Sequence, residues 1–283
     1  MSEMPTNLTQ AEFDKYVEPY PSKARRGYVC SIPLYKVFNY LLYFPYTGCQ
    51  WKMLPIDKDV DNPEKPEISW QSIYHHFRKW CSDGSLKKVW DHSIENIELF
   101  LDLSELNMDG THTIAKKGGE SVKYQGRKKA KTTNILPVLD KNGYPVASTD
   151  IIAGNRNDAY ELDNNLRAIF KDMKQRKLPI SGSYFNADSA FDTKGVRKVC
   201  FNNGVIPNIT ENKRGRKKVK RGRKRLFNAK IYKNRFGTER TWAWVDKFKR
   251  LLIRFERNDS YFFGLHCIAF AMINLRNLIG EKV

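Results

Sequence analysis

A chain of 283 residues with 50 Lys and Arg against 31 Asp and Glu, a formal charge of +19, is long enough to bury a sizeable core and calls for a polyanionic partner, nucleic acid before anionic membrane. Its 41% apolar and 13% aromatic content excludes a disordered basic tail. Five cysteines, at 30, 49, 81, 200 and 267, are scattered, odd in number and without a C-x-x-C pair, which excludes a disulfide framework and a cysteine zinc site and fits a reducing cytoplasm.

The opening "MSEMPTNLTQAEFDKYV" is polar and acidic where a secretory signal needs an apolar core. Apolar residues at helical spacing follow in "PLYKVFNYLLYF" (Leu34, Val37, Phe38, Leu41, Leu42) and in "SWQSIYHHFRKW" (Trp70, Ile73, Phe77, Trp80). The second helix is expected to stop at "SDGS", with Gly84 in a left-handed cap and Ser85 capping the start of "LKKVWDHSIENIELFL". Between the first two lies a charged, Pro-rich loop. Residues 1–103 thus form a small helical N-terminal region, whose short helices on a basic chain permit helix-turn-helix docking, though their aromatic stripes read first as core. His75 and His76 are adjacent, so they cannot share a helix face as a metal pair.

From Leu106 the pattern turns to short strands. "LNMDGTHTI" ends in alternation, "NILPVLD" and "YPVASTDIIAG" flank the hairpin turn "DKNG", and "DAYELDNNLRAIFKDM" is helical through Leu162, Leu166, Ile169, Phe170 and Met173. "SYFNADSAFD" is a strand, "TKGVRKVCFNNG" a short helix and "VIPNIT" a further strand. This order predicts an α/β fold, a mixed sheet flanked by helices. The segment "YFFGLHCIAFAMINLRNLIG" is interrupted by His266, Asn274, Arg276 and Asn277 and reads as a buried helix, so the membrane drops out as a partner.

Between these elements runs "KRGRKKVKRGRKR", Lys213 to Arg225, with ten Lys or Arg in thirteen positions. Its cations are Lys213, Arg214, Arg216, Lys217, Lys218, Lys220, Arg221, Arg223, Lys224 and Arg225, and without them the net charge falls from +19 to +9. A block of this kind cannot enter a core. Its position between two core elements makes a tethered phosphate clamp a more economical reading than a localisation signal.

Three acids stand out: Asp109 in "NMDGTHT", Asp188 in "YFNADSAFD", and Glu239 near the start of an amphipathic helix in "KNRFGTERTWAWVDKF". Each alone reads as a turn or cap residue, Glu239 with Thr238 as its cap. On a helical wheel Trp244, Val245, Phe248, Leu251, Leu252 and Phe255 form one stripe, with Glu239, Ala243, Asp246 and Arg250 opposite. Two strand-end Asp and a helical Glu are together a set that can hold two divalent ions about 4 Å apart. Alternation puts His112 on the strand face opposite Asp109, which makes it structural.

Tyr232, Arg235 and Glu239, with two and three residues between them, resemble the signature of the DDE transposases encoded by bacterial insertion sequences. Where that signature carries a basic residue stands Asp246, with Lys247 next, and "ERTWAWVDKFKRLLIRFER" resembles the form found in the insertion sequence five-like subgroup. "MDGTHT" is similar to the family's first-Asp segment, "GRKKAKTTNILPVLDKNGYPVASTDIIAGNRNDA" to the following hairpin, and "NADSAFD" to the second-Asp segment, with Ala190 where the family carries Gly. "TGCQWKMLP" and "YHHFRKWCSDG" resemble its N-terminal region.

The resemblance implies a ribonuclease H-like catalytic domain over 104–283, with 213–225 as a basic loop, behind a DNA-end-binding region over 1–103. Separations of 79 and 51 residues between the three acids leave no room for a large β insertion. It implies Asp109, Asp188 and Glu239 as the catalytic triad holding two Mg²⁺, for which Mn²⁺ can substitute. Arg235, Arg240, Lys247 and the run from Lys213 to Arg225 would contact DNA, and Tyr232, Asp158 and Asp192 would support the site from outside the metal shell. The partners would be double-stranded DNA, as terminal inverted repeats and as target, and a second copy or more of the chain in the synaptic complex, at a prokaryotic nucleoid. The alternatives are an inactive or domesticated relative that only binds DNA, and a ribonuclease H-like nuclease without strand transfer; three intact acids, the helical region and the basic run favour the transposase.

Overall fold

The computed structural model describes residues 4–23, 29–212 and 225–279. Helices α1 (Gln10–Tyr16), α2 (Leu34–Thr47), α3 (Trp70–Ser82) and α4 (Ser85–Asn96) precede strands β1 (Glu105–Met108), β2 (Thr111–Ala115), β3 (Lys123–Gln125), β4 (Ala130–Ile135), β5 (Pro137–Asp140), β6 (Pro145–Ser148) and β7 (Ile152–Ala153). Then come α5 (Leu162–Gln175), β8 (Tyr184–Ala187), α6 (Lys194–Asn202), β9 (Ile206–Ile209), α7 (Ala229–Tyr232), a 3₁₀ turn (Lys233–Phe236), α8 (Gly237–Val245), α9 (Lys249–Leu252), β10 (Ile253–Arg254) and α10 (Asp259–Leu275).

The chain divides into two compact units. One comprises Met1–Glu98, Thr113–Val122 and Ala243–Val283, the other Leu99–His112 and Lys123–Trp242. In the first, α10 packs on α3 and α4, and nearly every side chain from Phe262 to Leu275 is buried. Trp90 meets Phe270 at 5.0 Å between ring centroids, and Asn274 Nδ2 donates to the Ser93 hydroxyl at 3.0 Å. Gly264 makes this close packing possible, since a Cβ there would stand 2.5 Å from the Cys81 sulfur. The helix is buried all round, as its sequence requires, and no described helix is long and apolar enough to cross a membrane. None of the five cysteines is in a disulfide.

Burial drives the His266 imidazole of α10 down to about 4. An unfolded histidine protonates near pH 6.5, so between about 6.5 and 4 the unfolded chain binds a proton that the folded chain refuses, and stability falls with pH. Denaturant titrations at about pH 7 and about pH 5 should show ~2 kcal/mol lost to this group, a loss absent from His266→Gln.

In the second unit β6, β5, β1, β8 and β9 lie side by side in that order. The expected hairpin joins β5 to β6 through Gly143 at φ 87°, and β1 runs antiparallel to β5 but parallel to β8, which is parallel to β9. This is the mixed sheet flanked by helices that the sequence predicted. On one face Phe170 of α5 meets Phe185 of β8 edge to face at 6.0 Å, and the five apolar positions that predicted α5 are all buried. A second group pairs β4 with β3 and β7 antiparallel, and within the first unit Ile114 and Ala115 of β2 pair in parallel with Ile253 and Arg254 of β10.

Three local expectations are corrected. The amphipathic helix drawn through Phe255 ends at Val245; Phe248 at φ −84°, ψ 88° breaks it, α9 is four residues long, and the chain becomes strand at Ile253. The buried Arg254 rewards that change, because its guanidinium reaches the Glu256 carbonyl at 2.8 Å and the Asp259 carboxylate at 2.7 Å. Gly84 takes the left-handed conformation as predicted, but Ser85 is the first helical residue rather than the cap, its N–H and hydroxyl both donating to Asp83 at 3.0 and 2.6 Å. The Thr238 hydroxyl does not cap α8 either; it donates to the Arg235 carbonyl at 2.7 Å, since α8 continues the preceding turn and has no free N-terminus.

Candidate active site

β1 and β8 are paired in register, Glu105 with Tyr184 and Asn107 with Asn186. Two residues further, just past the ends of both strands, stand Asp109 and Asp188, brought together on neighbouring strands about 4.8 Å apart. The chain bends at Asp109–Gly110 before β2 begins, so alternation does not run through from Asp109 to His112. Asp109 is half-buried and accepts from the Gly110 N–H at 3.0 Å; burial pushes its carboxyl above the usual range, against the pull of Arg235. Such a carboxylate gains from a bound cation. Asp188 is exposed and accepts from the Ser189 N–H at the start of a 3₁₀ turn.

Arg235 reaches Asp109 at 3.5 Å and donates to the Tyr232 hydroxyl at 2.9 Å, so the tyrosine and arginine of the signature are coupled to the first aspartate. Glu239 is exposed in the first turn of α8, one helical turn beyond Arg235. Among the described residues no group of three His, Cys, Asp or Glu converges closely enough to hold a metal ion. Asp109, Asp188 and Glu239 are of the kind a hard divalent cation would take, two carboxylates at neighbouring strand ends and a third on α8, with no thiol or imidazole among them.

Asp158 stands against the same bend. A Cβ on Gly110 would lie 2.8 Å from its Oδ1, and that oxygen accepts from the Asn134 amide at 2.6 Å and lies 3.5 Å from the His112 imidazole, which holds Asp158 below the usual carboxylate range. His112, Gln125, Arg127 and Asp158 line a cavity of about 390 Å³ that extends to Ala190 and Asn212.

Asp192, four residues after Asp188, is turned inward. Its carboxylate takes Arg197 of α6 at 2.7 Å, the Asn212 N–H at 3.0 Å and the Arg225 guanidinium. Residues 213–224, and with them the cations Lys213, Arg214, Arg216, Lys217, Lys218, Lys220, Arg221, Arg223 and Lys224, lie outside the described residues; the described chain on either side, at Asn212 and Arg225, meets on this one carboxylate. Arg240 donates to the Asn142 carbonyl at 3.1 Å, and Lys247 is exposed with its ammonium 4.3 Å from the Trp244 ring.

One group went unread in the sequence. Asn107, Asn186 and Asn208 face one another across β1, β8 and β9: Asn208 Nδ2 donates to Asn186 Oδ1 at 2.7 Å, and Asn186 Nδ2 donates to Asn107 Oδ1 at 3.0 Å and to Glu105 at 3.3 Å. All four are buried. The available signal was N-x-D, written twice, as Asn107-Met108-Asp109 and Asn186-Ala187-Asp188.

The sequence profile of the transposase DDE domain matches residues 98–275. Among solved structures the chain is similar to a Mos1 transposase paired-end complex with left transposon end, at 13% identity over 92% of this chain and 83% of that one, with a TM-score of 0.29. It is similar also to a Mos1 mariner paired end complex with Mn, at 11% identity over 96% and 85%, with a TM-score of 0.28. No curated protein matches.

Proposed function

Because this chain belongs to the transposase DDE-domain family, we propose that it cuts DNA at the ends of an insertion sequence and joins the freed 3′ ends to target DNA. The observation that carries this reading is the pair Asp109 and Asp188, side by side at the ends of neighbouring parallel strands, with Arg235 of the Tyr232, Arg235, Glu239 signature facing the first of them. Asp109, Asp188 and Glu239 would hold two divalent ions, Mg²⁺ with Mn²⁺ as substitute, which when bound make water or a 3′-hydroxyl nucleophilic and stabilise the leaving oxygen.

The remaining steps belong to the chain. Tyr232 fixes the Arg235 fork by taking one of its N–H groups, so the guanidinium is oriented before phosphate arrives. Arg235 keeps its charge throughout and serves as a phosphate contact rather than a base. Asp158, held by Asn134 and His112, buttresses the bend that presents Asp109. Asp192 anchors the described flanks of the basic run, whose cations, with Arg240 and Lys247, would grip the DNA backbone. Residues 1–103 would bind the terminal repeats, and the joining of two ends calls for at least two copies of the chain. The "ERTWAWVDK" segment supports placement in the insertion sequence five-like subgroup and a bacterial host.

The test is incubation of the purified protein with Mg²⁺ or Mn²⁺ and a supercoiled plasmid carrying the gene with its flanking DNA. Breaks mapping to the element's ends, with joining to a second plasmid and loss of both on chelation, are the expected result. Binding of the flanking DNA without breakage or joining would reduce the protein to a DNA-binding relative.

A further inference from the structure

Residues two apart on a strand share a face, so Glu105, Asn107 and Asp109 of the β1 strand line look the same way, as do Asn186 and Asp188. The amide ladder therefore lies one step below the two aspartates and on their side of the sheet. This is the face over which the chain from Asn228 to Glu239 passes. The Asn228 backbone is tied to Asn208 twice, its N–H donating to Oδ1 at 2.7 Å and its carbonyl accepting from Nδ2 at 3.1 Å, while its side chain caps α7 by accepting from the Lys230 and Ile231 N–H groups. Six residues on, Asn234 Nδ2 donates to Glu105 Oε1 at 2.7 Å. The next residue, Arg235, reaches Asp109, and Glu239 follows one turn later.

We propose that Asn208, Asn186 and Glu105 are positioning residues: a buried polar template, continuous across three strands, that sets the height and register of the segment carrying Tyr232, Arg235 and Glu239 relative to the strand ends carrying Asp109 and Asp188. The amides suit this task because each both donates and accepts, so one ladder ties the strands to one another and then to the backbone of the covering segment. Apolar residues at these sites would hold the sheet together without fixing where the helix lies along it. The inference rests on the reading of the three acids as the metal-binding set.

Asn208→Leu removes both ties to Asn228, and with them the donation to Asn186 of β8, while leaving every residue of the two aspartate strands unchanged. Mn²⁺ binding to the purified protein, followed by the spin-resonance signal of the free ion, is expected to weaken by about 10- to 100-fold, the range found when residues that orient metal ligands are changed. Single-turnover cleavage of the flanking-DNA plasmid should slow by about the same factor at saturating DNA, with affinity for that DNA held within about twofold. Should Asn208→Leu fail to fold, Asn208→Asp carries the test, because it keeps the acceptor for the Asn228 N–H while losing the donors to Asn186 and to the Asn228 carbonyl. A folded variant that binds Mn²⁺ as the unaltered chain does, even with a lowered melting temperature, overturns the proposal. Asp188→Asn run in parallel separates the two failures: if it too binds Mn²⁺ and cleaves normally, the reading of the acids is wrong, whereas if it alone is defective only the template falls.

Discussion

Asp188→Asn is expected to lower cleavage of the element's ends by about 10³-fold or more while leaving the fold intact. A metal-held carboxylate contributes several kcal/mol to transition-state charge stabilisation, and each ~1.4 kcal/mol is tenfold in rate. Stability should change by less than ~0.5 kcal/mol, because Asp188 is exposed and Asn caps a turn as well as Asp does. Single-turnover cleavage paired with denaturant titration checks both halves. Cleavage at the unaltered rate would remove Asp188 from the chemistry, and loss of rate together with loss of fold would make it structural.

Asp192→Ala should behave in the opposite way, at a cost of about 3–5 kcal/mol in unfolding free energy, since it strands Arg197 in the interior without a counter-charge. The Lys141–Asp102 pair is nearly as short, at 2.8 Å, but exposed, and Lys141→Ala should leave the stability of the chain almost unchanged. Burial pushes the Asp192 carboxyl up, yet the Asn212 N–H and the Arg197 and Arg225 guanidinium groups outweigh it and hold the pKa below its ordinary value. A depressed carboxylate stabilises fully above its unfolded pKa, about 3.9, and loses that contribution as pH falls through the lower folded value. The gap in stability between the unaltered chain and Asp192→Ala should therefore be constant near neutrality and narrow only in acid below about pH 4, as denaturant titrations across that range will read.

Much of the second unit was legible in the sequence because its elements are amphipathic or bounded by turns. The 3.6-residue spacing from Leu162 to Met173 and the turn "DKNG" each had one interpretation. The strand-end positions of Asp109 and Asp188 followed from where the apolar runs stop. The helix after Glu239 misled because Val245, Phe248 and Leu251 keep helical spacing while the backbone turns at Phe248, and all three are buried regardless. Spacing reports burial, and here burial did not require a helix. The ion pair of the buried Arg254 with Asp259 that favours the break is invisible to periodicity, since Arg in a basic stretch reads as surface. The asparagine ladder was missed for a related reason: a strand Asn lowers β propensity and carries no mark of burial, and only the register of β1, β8 and β9 reveals that three of them are neighbours.

The chain's route between its two units has a consequence for synthesis. Helices α3 and α4 leave the ribosome before any of the strands β1 to β10, but the helix that covers them, α10, is made only after all of these. The unit that begins first is thus the later to close, and the strands bearing Asp109 and Asp188, with the segment bearing Glu239, are all out while α3 and α4 still wait for their apolar partner. Vectorial folding of this chain runs against the usual order, in which what emerges first is finished first.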